Sequence, residues 1–274
     1  MAGAVGLTLL ILIAIFAPLL MPHDPYATNL LTRRIPPVWY AWFDGDARAS
    51  WLHPLGTDQL GRDYFSRLLL GARVSLTVAF FAVTLSGIIG TVLGITAGYF
   101  GGWIDAFISF VVTTRLSMPV ILVALAVVSI FGSSLLIISL VLGLLLWDRF
   151  AVVIRSATLQ LRDLEYITAA KAMGCSTIHI LFRQIGPNIL SPFLVVATLE
   201  LAVAILLEAS LSFLGLGVQP PEPSWGLMLS DAKADLMFDP WLMMIPGIAI
   251  FILVFVINLV GDGIRDVTAP EGRS

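Results

Sequence analysis

The sequence predicts an all-α membrane protein that crosses a bilayer six times. Three observations predict it. Of 274 residues, 58% are hydrophobic and only 12% charged, against about 25% charged in a soluble domain. The mean hydropathy is +0.97, and the apolar residues fall in runs of the roughly 20 needed for a spanning helix. No alternating segments of about 10 residues appear, as a membrane β-barrel would require. The net charge of −3 averages solvated loops with spans and excludes little. Cys175 is the single cysteine, so no internal disulfide forms; it reads as an ordinary small residue.

The elements follow in order. Gly3–Leu20 is apolar but lacks a basic leader and a small-residue cleavage site before Pro22, so it reads as a retained helix, 1–21, rather than a signal peptide. It begins almost at Met1 with no basic flank, which suggests a start site placed late or a short chain there. Residues 22–73 form a polar, proline-containing, aromatic segment. The second span, Val74–Ala97, carries Gly87, Gly90, Gly94 and Gly98 at three- or four-residue spacing, a small-residue stripe suited to helix packing. The third, Ala106–Phe131, contains Pro119, expected to kink it. Leu135–Ile154, Ile189–Leu216 and Trp241–Val260 complete a five-helix core, 74–266, interrupted by the loop 159–188; a tail, 267–274, follows. Tyr99, Trp103, Trp147, Trp225 and Trp241 sit near span ends, as an interfacial belt would. No segment repeats.

Orientation follows from basic residues in short loops. Arg155, Arg162, Lys171 and Arg183 lie in or beside the loop 159–188, and Arg265 and Arg273 in the tail, whereas the connections near Gly132 and Pro220 are nearly free of them. Both termini and the loop are therefore expected in the cytoplasm, with 22–73 and Gly217–Pro240 outside. The arginines of Met21–Arg73 weigh little, because long loops are weak topological signals.

The loop Leu159–Asn188 is a polar island between oily runs. It holds no proline before Pro187, which is expected to stop the chain ahead of the fifth span. On a helix Ala169, Ala170 and Gly174 share one narrow face, so another surface can approach closely. Gly174 also suits a helix end. Spacing alone leaves a docking surface and a plain amphipathic loop helix equally open.

The run Glu165-Tyr-Ile-Thr-Ala169-Ala170-Lys-Ala-Met-Gly174, followed by Pro187-Asn188, resembles the "EAA" loop of ABC importer permeases. His53-Pro-Leu-Gly-Thr-Asp-Gln-Leu-Gly-Arg-Asp63, Gly71-Ala-Arg-Val-Ser-Leu76, Ala209-Ser-Leu-Ser-Phe-Leu-Gly-Leu-Gly217, Gln219-Pro-Pro-Glu-Pro-Ser-Trp-Gly226 and Asn258-Leu-Val-Gly-Asp-Gly-Ile-Arg-Asp266 extend the likeness nearly end to end. The chain resembles the C-type permease subunit of the dipeptide/oligopeptide/nickel family. It departs from that pattern at Thr168, where the namesake acid often stands, at Gly186 before Pro187, and at Phe110 and Thr113, where relatives often carry Arg and Asp.

The resemblance implies a type I ABC importer permease fold in the bacterial inner membrane, with the island as a coupling helix docking on a cytoplasmic ATPase. Glu165, Ala169, Ala170 and Gly174 become the expected contacts. It implies as partners a homologous B-type permease, two cytoplasmic ATPases, an extracytoplasmic binding protein and membrane lipid, with no nucleic acid. The chain has no GxxxxGK[ST] phosphate loop. It is accordingly expected to perform no covalent chemistry and to bind no cofactor, ATP and Mg belonging to the partners. Peptides are the expected cargo; nickel chelates and glutathione are the alternatives within the family. A gradient-driven carrier would predict inverted repeats and interrupted helices, and a membrane scaffold would bind no ATPase.

Ionisable residues inside spans are functional candidates. Arg115 and Glu200 both fall about 15 Å deep at a rise of about 1.5 Å per residue and are expected to pair, with Asp148 as a shallower partner. Glu208 lies in the outer half of the fifth span. These four either line a passage or form structural pairs, and pairing is favoured for Arg115. Outside, Gly56, Asp58, Gly61, Arg62 and Asp63 read as a tight turn, and the acids and arginines of 21–73 as a rim for a second permease or a binding protein. Gln219–Trp225 reads as an outer gate, a dock or a rigid loop ending the fifth helix. His23 and His53 are too far apart in sequence to suggest a metal site, and none is expected.

Overall fold

The computed structural model describes residues 2–43 and 45–268. Its helices are α1 (Ala2–Leu20), α2 (Tyr40–Phe43), α3 (Tyr64–Phe100), α4 (Gly102–Leu116), α5 (Val120–Phe131), α6 (Leu135–Leu145), α7 (Trp147–Arg162), α8 (Glu165–Ala172), α9 (Thr177–Ile180), α10 (Gly186–Phe213), α11 (Trp225–Asp231) and α12 (Trp241–Thr268). Among the described residues there is no strand beyond an isolated bridge between Thr57 and Asp63. Among the described residues five helical stretches are long and apolar enough to cross a membrane, and six if α4 and α5 count as one broken span. The tail beyond Thr268, with Arg273, lies outside the described residues.

α3 organises the bundle, because it packs against α1, α6, α7 and α10. Its 37 residues reach about 55 Å, well beyond a hydrocarbon core of about 30 Å. It therefore starts inside the polar 22–73 segment, where the Asp63 side chain caps it by accepting from Ser66 N. The glycine stripe is the seam with α7. A Cβ on Gly90 would stand 2.4 Å from both Phe150 Cβ and Trp147 O, and Gly94 and Gly98 meet Ile154 and Thr158 in the same way. α12 closes the bundle against α1 and α10, and Tyr64 donates its hydroxyl proton to Leu242 O.

Two helices depart from the sequence expectation. Pro119 does more than kink the third span: α4 and α5 meet at 83°, with Pro119 in extended conformation ahead of α5. Pro187 does not stop the chain. Helix is continuous over Thr177–Phe213: Leu181–Ile185 widens into a π turn immediately ahead of Pro187, which falls at the start of α10. The aromatic belt is also reassigned in part. Trp225 and Trp241 are buried at 4% exposure, whereas Trp103 is open. Trp225 donates to Leu68 O at 2.9 Å and so anchors the Gln219–Trp225 loop as a rigid element.

Candidate coupling surface and intramembrane charges

The island folds into α8, a left-handed turn and α9. Ile167 and Ala170 point inward and join Ile154, Ile180, Ile185 and Ile189 in a separate apolar cluster. That cluster fastens α8 to α7 and α10. The exposed side carries Glu165, Tyr166, Thr168, Ala169, Met173 and Gly174. Ala170, expected at a partner contact, is instead 1% exposed; the correction follows from where the helix ends. Met173 closes α8, Gly174 takes φ +81°, and Cys175 N donates back to Ala170 O at 3.1 Å. Gly174 thus leaves the helical register and cannot share a face with Ala170. Nothing lies within 4 Å of a Cβ built on Gly174. Exposed Tyr166 and Met173 were not singled out by spacing, although an apolar side chain in a polar island is a legible signal.

Arg115 does not pair with Glu200 or Asp148. Its guanidinium donates to Leu145 O and, at 3.3 Å, to Met118 O. Those carbonyls sit at the α6–α7 junction and at the α4–α5 break, where helix ends leave acceptors unused. Arg115 therefore satisfies two interrupted helices. Asp148 lies in the first turn of α7, where an acid suits the helix dipole, and its Oδ1 accepts from Arg149 N at 2.9 Å. Glu200 pairs with Arg149, Oε1 to guanidinium at 3.0 Å. Sequence reading missed Arg149 although it adjoins Asp148 in the same span. Among the described residues Glu208 makes no ion pair; it is fully buried and accepts from Ser75 at 3.0 Å and Ser212 at 2.8 Å. It joins α3 to α10 inside the core.

Outside the bundle, the expected turn forms: Asp58 accepts from Leu60 N and Arg62 N at 2.9 and 3.0 Å and pairs with Arg62 at 2.6 Å. The rim arginines are largely spent on this chain's own acids. Arg34 bonds Asp235 and lies 3.8 Å from Asp239; Arg62 and Arg67 each lie 3.8 Å from Asp231. Burial pushes the Asp231 carboxyl up, while Arg67 and Arg62 draw it back. Tyr26 donates to Glu222 at 3.1 Å. The 22–63 segment is thereby latched onto the loop and helix that follow α10.

The structure also corrects the reading of the histidines. His23 and His53, remote in sequence, stack with ring centroids 4.7 Å apart, and His53 Nδ1 lies 2.8 Å from Asp63 Oδ1.

With this geometry in view, similarity to known proteins becomes informative. Residues 90–273 match the family described as binding-protein-dependent transport system inner membrane component, and residues 1–37 match the N-terminal TM domain of oligopeptide transport permease C. The dipeptide transport system permease protein DppC of Alkalihalophilus pseudofirmus is 43% identical over 99% of this chain and 86% of its own. The glutathione transport system permease protein GsiD of Pectobacterium atrosepticum is 41% identical over 100% and 88%. A chain of the MetNI methionine ABC transporter in inward-facing conformations superposes with a TM-score of 0.59 at 20% identity, covering 74% of this chain and 96% of that one, which establishes a shared fold. A multi-pass bundle, an island fastened to it and a match along almost the whole length agree: the chain belongs to the binding-protein-dependent transport system inner membrane component family, as a permease of the C type.

Proposed function

We propose that this chain carries short peptides across the bacterial inner membrane as one of two permease halves, driven by ATP hydrolysis on partner ATPases. The carrying observation is the placement of α8. Glu165, Ala169 and Gly174 are exposed, while Ile167 and Ala170 bind the same helix to α7 and α10. A force applied to the open side is thus transmitted to two spans, because packed interiors yield little. On this reading the partner ATPases bind nucleotide and Mg, which agrees with a sequence that carries no GxxxxGK[ST] phosphate loop. On this reading α8 and both termini face the cytoplasm, and the latched 22–63 segment faces a binding protein that delivers cargo.

Peptide as cargo rests on the likeness to the dipeptide transport system permease protein of Alkalihalophilus pseudofirmus. Glutathione is a second reading, favoured by a relative of nearly equal similarity. The test is reconstitution into liposomes with the second permease, the ATPases and the binding protein. Uptake of labelled dipeptide that requires ATP, and stops when the ATPases are omitted, supports the proposal. Uptake by this chain alone under an ion gradient overturns it.

A further inference from the structure

We infer that His23, His53 and Asp63 form a binding site for a divalent transition-metal cation of the zinc class, bracing the exit of α1 against the start of α3. One potential ligand atom from each of these residues lies within 4.8 Å of the other two. His53 Nδ1 is 2.8 Å, and His23 Nδ1 3.7 Å, from the same Asp63 Oδ1. Zinc–nitrogen and zinc–oxygen bonds of about 2.0–2.2 Å at tetrahedral angles separate donors by roughly 3.3–3.6 Å. The two distances to Oδ1 fall on either side of that range and all three atoms lie within 4.8 Å of one another, so side-chain rotations would bring them onto one ion.

Two further features favour a ligand over a plain hydrogen-bonded cap. Among the described residues, His23 Nδ1 is shielded from solvent and has no hydrogen-bond partner, an arrangement that is costly for a buried polar atom. Asp63 also divides its labour: Oδ2 accepts from Ser66 N at 2.8 Å and Ser66 Oγ at 2.7 Å, which holds the carboxylate still and leaves Oδ1 for the ion. His23 is fixed separately, its N donating to Ser66 Oγ at 3.2 Å. Carboxylate and imidazole together suit zinc and its neighbours rather than magnesium or calcium. Three protein ligands leave a fourth position for water. Ligation requires both Nδ1 atoms to be unprotonated, so the ion replaces the His53–Asp63 hydrogen bond and affinity falls in acid.

The test uses the full chain, purified without a polyhistidine tag, stripped with chelator and titrated with Co2+ and Zn2+. The expected result is one ion per chain, with the visible absorption of four-coordinate Co2+ and displacement by Zn2+. His23→Ala and His53→Ala should each weaken binding at least ~10-fold with unchanged far-ultraviolet dichroism, while His179→Ala, on the island, leaves it intact. Asp63 is kept, because it caps α3. A measurement without variants guards against misfolding: Zn2+ should shield His23 and His53, but not His179, from diethyl pyrocarbonate. Absence of stoichiometric binding, binding that survives loss of both histidines, or no selective shielding overturns the inference.

Discussion

Arg149 on α7 and Glu200 on α10 meet at 3.0 Å, and the pair is lopsided: the acid side chain is 1% exposed and the arginine side chain 58%. The cost of breaking the pair therefore depends on which partner is removed. Arg149→Gln strands a buried carboxylate, and a loss on the order of 1–3 kcal/mol is expected. Glu200→Gln leaves an arginine that already meets its surroundings and should cost less. Thermal unfolding in detergent ranks the two, and equal losses would refute the asymmetry.

A double-mutant cycle separates the observed pairing from the one sequence depth suggests. Arg149 and Glu200 should show a coupling of about 1 kcal/mol or more, whereas Arg115 and Glu200 should add to within about 0.5 kcal/mol. Arg115→Lys should still destabilise, because an ammonium has no planar fork with which to reach Leu145 O and Met118 O together. Strong Arg115–Glu200 coupling would show that the carbonyl contacts are not its principal partners.

The α3 stripe gives a contrast between two of its glycines, one facing α7 and one facing α10. A Cβ on Gly90 meets Trp147 backbone oxygen and Phe150 Cβ at 2.4 Å, neither of which can swing aside. A Cβ on Gly87 meets the far end of the Phe193 side chain on α10 at 3.0 Å, and that side chain can swing as a whole. Gly90→Ala should thus cost more than the 1–3 kcal/mol typical of overpacking, enough to cut the yield of folded protein, while Gly87→Ala accumulates normally. Detergent size-exclusion yield decides it, and parity would mean the helices separate more easily than their packing implies.

These results show which features a sequence carries on its face. An apolar run long enough to span is itself the cause of a span, so five crossings are legible, and a sixth where α4 and α5 count as one broken span. The glycine stripe is equally direct, because small residues at helical spacing permit close approach whatever lies opposite. A common face for Ala170 and Gly174 is not legible, because a face is defined only within a helix, and α8 ends at Ala172, before Gly174. Its direction is set by Ile154, Ile180, Ile185 and Ile189, which belong to other helices. The partners of Arg115 are backbone atoms, which no residue code advertises. His23 and His53 meet only because the 22–63 segment folds back on α3.

The outer latch predicts a local opening rather than global unfolding. Arg34 holds Asp235 and approaches Asp239, and Tyr26 holds Glu222; these contacts lie outside the main apolar cluster. Arg34→Ala should raise hydrogen exchange over residues 24–43 and 231–240, leaving the amides of α3 protected, as expected of a weakly anchored unit. Unchanged exchange there, or loss of protection throughout α3, would contradict the latch.

Gly174 decides whether the island couples by close docking. Its φ of +81° penalises most side chains by roughly 1–2 kcal/mol, and Asn least among polar residues. The space around its Cβ within this chain is open, so bulk alone meets no clash here. Backbone strain therefore ranks Asn above Ala and Trp, whereas docking against a partner ranks by size, with Ala best and Trp worst. In the reconstituted importer, Gly174→Trp should abolish uptake while substrate no longer stimulates ATP hydrolysis, and Gly174→Ala should retain more uptake than Gly174→Asn. Retained uptake with stimulated hydrolysis in Gly174→Trp would remove Gly174 from the coupling contact and leave Glu165, Ala169 and Met173 to carry it. Loss that follows strain rather than size would make Gly174 a folding requirement of the turn.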